Sequence, residues 1–467
     1  MIDTFAIRCN VLKLAFSGQL SQHEVEDGAI DDLLKRVNPN REIKQSEAGP
    51  YEIPENWAWV KLEDLYEINP KVEAADDTDA AFIPMERISA GFSDSFTFEV
   101  QKWSAASKNH TRFADGDVAF AKISPCFENR KSFIATGLPN GIGGGTTELI
   151  ILRQKEMLPR FTYYVTLDQR FIHEGVASYK GTVGQQRVKS DVIKNYMVAV
   201  PPKEEQQRII EKIESIFSAL DTIDTLQSQY QDNLATLKSK IIDAGIQGKL
   251  TEQLPEDGNA EELYQQIQRE KLALEKAGKI KKSKPLPAIS DEEKPFDIPE
   301  NWKWVRLADV YEINPKVNAD DNINAAFIPM ERISAGFDKS FSYVVQKWSE
   351  ASKNHTRFCD GDVAFAKISP CFENRKSFVV ENLPNSLGGG TTELIILRQK
   401  LIDPLFTYYL ILDERFIRLG LSTYKGAVGQ QRIKNDVMFA YVFPLPPLVE
   451  QKRIVAKLEE LLPLCEG

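Results

Sequence analysis

Two short polar segments of this 467-residue chain carry residue types suited to holding a charged or planar ligand. Lys122-Ile-Ser-Pro-Cys-Phe-Glu-Asn-Arg-Lys131 combines three cations with turn residues, and Tyr179-Lys-Gly-Thr-Val-Gly-Gln-Gln-Arg-Val-Lys189 is glycine-rich with amides and cations. A third segment, Lys108-Asn-His-Thr-Arg112, is polar and basic. Arginine and lysine pair with guanine, and asparagine and glutamine with adenine, in the major groove of DNA, whereas lysine, serine and backbone N–H groups suit phosphates. The candidates are Lys122, Arg130, Lys131, Tyr179, Lys180, Gln185, Gln186 and Arg187. Each equally fits a solvated surface loop, and residue type alone does not divide base contacts from phosphate contacts.

Other chemistry lacks its signatures. There is no GxxxxGK[ST] phosphate loop, and Gly143-Gly144-Gly145 is followed by Thr-Thr-Glu with no lysine placed for a phosphate. That triplet reads as a turn or a close approach of backbone. Asn69-Pro70-Lys71 and Asn314-Pro315-Lys316 lack the second proline and the aromatic of an amino-methyltransferase loop, and no glycine-rich cofactor loop precedes them. S-adenosylmethionine is therefore not expected on this chain. His110 and His355 have no Cys or His at ligand spacing, so no metal is expected.

All of these segments occur twice. Residues 103–133 and 348–378 differ only at Ala105/Glu350 and Ala114/Cys359. The offset of 245 residues also relates Trp57 and Trp59 to Trp302 and Trp304, the glycine triplet to Gly388–Gly390, and Gln185-Gln186-Arg187 to Gln430-Gln431-Arg432. The second set of candidates is therefore Lys367, Arg375, Lys376, Tyr424, Lys425, Gln430, Gln431 and Arg432. So long a period means two domains, each with its own core.

The elements that must position these segments follow from periodicity. Asp117–Ile123 and Glu148–Leu152 read as strands between turns, and Phe161–Glu174 as one helix. Trp57, Trp59, Phe82, Trp103, Phe120 and Phe127 read as core rather than as base-stacking rings. Residues 203–248 read as a long helix of roughly 60 Å. Its heptad seam is Ile209, Ile216, Ile223, Tyr230 and Leu237 with Ile213, Leu220, Gln227, Leu234 and Ile241. Gln227 reads either as a register-fixing residue or as a tolerated amide. Ile2, Phe5, Cys9, Leu12 and Phe16 share a face of an N-terminal helix ended by Gly18, and short helices are expected over 29–37 and 260–277. The long helix begins again at Pro446 and stops after about five turns. The stretch it then lacks resembles the chain's first twenty residues: Leu14-Ala-Phe-Ser-Gly-Gln-Leu20 matches Ala244-Gly-Ile-Gln-Gly-Lys-Leu250. The two termini are expected to form a composite helix packed antiparallel on the central one.

Composition sets outer bounds. Apolar and charged fractions are ordinary, no run of about 18 apolar residues occurs, and the N-terminus lacks the pattern of a secretory signal. Five cysteines without CxxC spacing fit reduced thiols in the cytoplasm. A net charge of −10 gives no overall pull toward nucleic acid, so DNA binding must rest on local basic patches or on a partner.

Three motifs, each present twice and in the same order, carry a resemblance over essentially the whole length: IPENWxWVxL at 53–62 and 298–307, GxxGQQRxK at 181–189 and 426–434, and PPxxEQxRI at 201–209 and 446–454. The chain resembles the specificity subunit (HsdS) of type I restriction-modification systems. The resemblance implies an α+β protein with two duplicated α/β target-recognition domains, separated by an antiparallel pair of long coiled-coil helices in a pseudo-two-fold circular arrangement. Its parts would be 1–20 and 446–467 (the distal helical spacer), 21–200 (the first recognition domain), 201–250 (the central spacer) and 251–445 (linker and second domain). It further implies a non-catalytic subunit that reads a bipartite site on double-stranded DNA and docks two methyltransferase subunits (HsdM) and restriction subunits (HsdR). S-adenosylmethionine, ATP and Mg would be bound by those partners, with no membrane involved. Near-identical domains depart from the common pattern of two different ones and lead us to expect an interrupted palindrome. A stand-alone bivalent DNA-binding regulator and a protein-interaction scaffold remain alternatives.

Overall fold

The computed structural model describes residues 1–24, 27–28, 30–37, 49–182, 185–280, 285–427 and 429–465. The chain folds as two units, Met1–Gln227 and Ser228–Gly467.

The first unit opens with α1 (Thr4–Phe16) and α2 (Ile30–Val37). Its strands are β1 (Ala58–Lys61), β2 (Tyr66–Ile68), β3 (Asp79–Ile83), β4 (Glu99–Lys102), β5 (Thr111–Ala114), β6 (Val118–Ala121), β7 (Ser132–Ile134), β8 (Ile142–Gly145) and β9 (Leu149–Gln154). Helices α3 (Pro159–Leu167) and α4 (Gln169–Ala177), strand β10 (Met197–Val200) and the long α5 (Lys203–Ile246) follow.

Two four-stranded sheets form, in the orders β2-β9-β6-β7 and β4-β3-β8-β5, and β1 pairs antiparallel with β10 from Ala58↔Val200 to Lys61↔Met197. Alternation along β6 explains the layering. Val118 and Phe120 face the cluster that includes α3 and α4, while Ala119 faces the cluster shared with the second sheet. Both faces of β6 are thus buried, which is why its sequence is an unbroken apolar run. Gly144 lies where β8 passes under the short helix at 103–106, and a Cβ there would sit 1.9 Å from the Ala106 carbonyl oxygen. The glycine triplet is therefore a close approach within a strand, not a turn.

The second unit repeats this plan. After α6 (Ala260–Lys276) come β11 (Lys303–Arg306), β12 (Glu312–Ile313), β13 (Asn324–Ile328), β14 (Val344–Lys347), β15 (Thr356–Cys359), β16 (Val363–Ala366), β17 (Ser377–Val379), β18 (Leu387–Gly390) and β19 (Leu394–Arg398). Then follow α7 (Pro404–Leu412), α8 (Glu414–Ser422), β20 (Val442–Leu445) and α9 (Leu448–Leu461). Its sheets have the matching orders β12-β19-β16-β17, β14-β13-β18-β15 and β11-β20. The α+β class with duplicated domains and a long helix is as expected.

Three local expectations need correction. The helix read over Phe161–Glu174 is two helices, broken at Asp168, which takes extended backbone between them. The buried face of α1 holds Arg8, Val11, Leu12, Ala15 and Phe16, while Ile2 and Phe5 are exposed, because Arg8 is drawn inward to Asp221 (2.6 Å) and Asp224 (2.9 Å). The seam of α5 is covered at Ile209, Ile213 and Leu220, but Tyr230 (52 % exposed) and Leu237 (46 %) are open.

Within the first unit α1 runs antiparallel to the first half of α5: Ile2, Thr4 and Arg8 meet Gln227, Asp224 and Asp221 in turn. Gln227 is bonded where the two helices meet. Its amide accepts from the Ile2 N–H and donates to the Ile2 carbonyl (3.2 Å). Within the second unit, α9 packs on the end of α5, with Ile454 and Leu458 beside Gly245. Gly18 and Gly248, both at positive φ, end α1 and α5, and each lies against the proline of the following IPENW segment, Pro54 or Pro299.

Candidate nucleic-acid interface

The candidate surface is built by backbone pairing. The ends of the glycine-rich loop close on each other: Lys180 N–H donates to the Arg187 carbonyl (3.1 Å) and Arg187 N–H to that of Lys180 (2.9 Å). The loop then lies along the end of β6. Ser124 N–H donates to the Gln186 carbonyl (2.9 Å), Val188 N–H to that of Lys122 (3.0 Å), and Lys122 N–H to that of Glu148 (2.8 Å). These bonds bring Lys122, Lys180, Gln185, Gln186 and Arg187 together, all at least partly exposed. The second unit reproduces the set around Lys367, Lys425, Gln430, Gln431 and Arg432, with Ser369 N–H on Gln431 (2.8 Å) and Ile433 N–H on Lys367 (3.1 Å).

Glu148, absent from the expected residues, organises this surface. Arg187 grips it with Nε (2.9 Å) and Nη2 (2.6 Å), while Nη1 turns back to the Gln185 carbonyl (3.2 Å). Arg432 grips Glu393 at 3.0 and 2.7 Å and reaches Gln430 in the same way. The guanidinium hydrogen bonds hold both carboxyls below their usual range. Arg187 thus spends its forked edge on Glu148, while Lys180 and Gln185 are exposed. The only local hint of Glu148 in the sequence is its place after the Gly-Gly-Gly-Thr-Thr run.

The remaining candidates face inward. Arg130 is 4 % exposed. Its Nε donates to the Leu167 carbonyl (3.0 Å), its Nη2 to Gln169, and its guanidinium lies over Phe5 and Phe92 at 4.8 and 5.3 Å. It braces the domain against α1 and is withdrawn as a DNA contact. Arg375 likewise binds the Leu412 carbonyl and Glu414 (2.5 Å) over Phe337. Lys131 and Lys376 donate to the carbonyls of Met85 (2.8 Å) and Met330 (2.9 Å), tying loops together. Tyr179 and Tyr424 pack edge-on to Phe127 and Phe372, and burial drives both phenols far above their ordinary values. In the third segment Arg112 stacks on Trp103 (5.7 Å) and His110 on Phe82 (4.8 Å). Trp57, Trp59, Trp103, Phe120 and Phe127 are core, as expected. Among the described residues no cluster of His, Cys, Asp or Glu is placed to hold a metal, and no helix is long and apolar enough to cross a membrane.

Two of the repeated motifs are halves of one bonded unit. Glu205 of PPxxEQ is fully buried and accepts from Trp57 Nε1 of IPENW (2.9 Å), from Asn56 and from Ser21. Glu450 accepts from Trp302 Nε1 (2.7 Å) and Gln253. Gln206 and Gln451 bond the backbone on either side, at Leu158 and Pro201 and at Asp403 and Pro446. This knot fastens each domain to the first turn of the helix that follows it.

The profile of the type I restriction modification DNA specificity domain matches residues 54–230 and 299–465, so each match runs from an IPENW segment through a domain into the following helix. The chain belongs to this family. As a specificity subunit it is non-catalytic. It is similar to the type I restriction enzyme EcoAI specificity subunit of Escherichia coli, at 30 % identity over 545 residues, covering 99 % of this chain and 90 % of that one. It is also similar to the EcoEI specificity subunit of Escherichia coli, at 28 % over 551 residues (100 % and 90 %). A chain from a solved type I R-M system, studied for its assembly and conformational transition, shares the fold with a TM-score of 0.60 at 18 % identity, covering 89 % of this chain and 92 % of that one. The specificity subunit's two matched segments are the two halves whose loops and knots have just been described.

Proposed function

We propose that this subunit sets the DNA sequence at which a type I restriction-modification enzyme acts, and that its two recognition domains read the two halves of an interrupted palindrome. The observation that carries this is the repetition of the loop's exposed cations and amides together with their carboxylate clasp. Lys122, Lys180, Gln185, Gln186 and Arg187 recur as Lys367, Lys425, Gln430, Gln431 and Arg432, with the same carboxylate clasp, Glu148 or Glu393. Two identical reading surfaces select identical half-sites, and like domains suit separated half-sites on a duplex. The exposed amides suit adenine and the exposed cations suit guanine or phosphate. Lys122, Lys180, Gln185 and Gln186 and their repeats are the proposed contacts, with Arg187 and Arg432, held on Glu148 and Glu393, and Tyr179, Lys131, Tyr424, Lys376 and Arg375 shaping the loops that carry them.

The partners proposed are double-stranded DNA, two HsdM methyltransferase subunits docked on the helical regions, and HsdR restriction subunits, in the cytoplasm. S-adenosylmethionine, ATP and Mg belong to those partners, and the methyltransferase flips the target adenine out of the duplex. The net charge of −10 favours this reading over a stand-alone DNA-binding regulator.

Expression with the methyltransferase partner in a methylation-free host, followed by genome-wide mapping of modified adenines, tests it. A single interrupted palindrome is expected. An asymmetric bipartite site overturns the equivalence of the halves, and absence of modification with an active partner overturns the specificity role.

A further inference from the structure

One aromatic cage occurs in both units, closed on its arginine in the first and bordered by a cavity in the second. In the first, Tyr51, Trp59 and Tyr196 surround the guanidinium of Arg170, 5.7, 5.4 and 4.1 Å from the ring centroids, and the residual void is about 10 Å³. In the second, the equivalent rings Phe296, Trp304 and Tyr441 line a cavity of about 570 Å³ that also touches Ile246, the counterpart of Phe16. Trp59 is buried, whereas Trp304 is partly exposed.

The difference lies in the arginine. Arg415, the counterpart of Arg170, lies over Phe296 at 4.4 Å and bonds the Tyr441 side chain, but it is also bound by Asp243 (2.7 Å) and Asp413 (2.8 Å), and it lines the cavity beside the Trp304 ring. The position of Asp243 is taken in the first unit by Lys13, which offers no carboxylate to a guanidinium. Arg170 instead pairs with Glu174 (3.0 Å), whose counterpart is Leu419. The exchanges of Lys13 for Asp243 and Glu174 for Leu419 change the partners of the arginine, and those of Phe16 for Ile246 and Tyr51 for Phe296 change the walls around it. The charges around the open cage are Glu293, Asp436, Asp243 and Asp413 against Arg306 and Arg415, and Arg306 is already paired with Glu293 (2.9 Å). The surplus is negative.

We propose that the open cage of the second unit binds the guanidinium of an arginine side chain presented by a partner polypeptide. The first unit shows that these three ring positions accommodate a guanidinium, and a cation over aromatic faces in a partly desolvated site gains both stacking and electrostatic attraction. The cavity exceeds a guanidinium and falls in the range of ligand-sized pockets, so it has room for the arginine stem and a neighbouring residue.

The test uses the full chain labelled with 5-fluorotryptophan, with Trp304 and Trp59 resonances assigned through Trp304→Phe and Trp59→Phe. The probe is the peptide acetyl-Gly-Arg-Gly-amide. Saturable movement of the Trp304 resonance with no movement of Trp59 is expected, and the isosteric citrulline peptide should bind about tenfold more weakly or less. Asp243→Lys should release Arg415 into the cage and weaken binding by about tenfold. If that variant does not fold, Leu419→Glu, which restores the first unit's pairing, should have the same effect. Equal binding of the citrulline peptide would overturn the proposal in favour of an apolar cavity. Tighter binding of spermidine than of the arginine peptide would overturn it in favour of a polyamine site, and an unmoved Trp304 resonance would overturn it outright.

Discussion

At the scale of single residues, the loop tip divides reading from bracing. Arg187 is engaged on three nitrogens, two with Glu148 and one with the Gln185 carbonyl, while Gln185 beside it is exposed. A bidentate amide–adenine contact discriminates by about 1–3 kcal/mol, so the double variant Gln185→Ala/Gln430→Ala should lower methylation of the native site by at least about tenfold or shift it. Replacing the acids Glu73, Asp76 and Asp77 by their amides should leave the methylation pattern unchanged. Methylome mapping of both variants reads the result, and an unaltered pattern in the double glutamine variant removes those residues from the reading surface. This division was only partly legible beforehand. The segment 122–131 shows three cations of equal appearance, but Lys122 stays at the surface while Arg130 and Lys131 turn inward, and that choice depends on Leu167, Gln169 and Met85, which lie some 40 residues away in sequence. Local residue types carry no record of such partners.

At the scale of elements, periodicity served well where both ends of an element are chemically marked. The long helix, the strand at 118–121 and the glycine ends of α1 and α5 were all readable. The break at Asp168 was not, since no proline or glycine marks it. The pairing of IPENW with PPxxEQ was not readable either, because Trp57 and Glu205 stand 148 residues apart. The residue types of the glycine triplet fit a turn and a close approach alike, and the crossing of β8 beneath the short helix at 103–106 decides for the second. Gly144→Ala would drive a methyl into the Ala106 carbonyl oxygen, and since a backbone atom must move, the first domain should lose about 2 kcal/mol of stability or more. Urea denaturation measures this, and an unchanged midpoint would show that the short helix moves aside freely.

At the scale of the whole molecule, the two units carry matching acid-sensitive fastenings. Asp27 and Asp257, both buried, take both nitrogens of Arg208 and Arg453, tying the segment before each recognition domain to the helix that follows it. The arginine hydrogen bonds hold both carboxyls below their ordinary range. A carboxyl depressed in the folded state contributes stability that is complete above its unfolded pKa, about 3.9 for aspartate, and is lost as the pH falls through the folded value. Asp27→Asn/Asp257→Asn should therefore be less stable than the native chain at pH 7, with the gap narrowing as the pH falls below the ordinary aspartate value. Urea midpoints at the two pH values test this, and a gap independent of pH would rule out the pairs as its source.

The first unit's main core cluster runs from Val11 to Leu220, and β1 finds β10 only once Val200 has been made. A ribosome adding about 5–20 residues per second needs roughly 5–20 s more to travel from Leu220 to the strand at 324–328, which is longer than domains of this kind generally take to fold. The near-identical strands of the second copy therefore emerge after their rivals in the first have found their own partners. Order of synthesis keeps apart two sets of strands that sequence alone cannot distinguish, a protection that a chain refolding from denaturant, with both copies present from the outset, does not have.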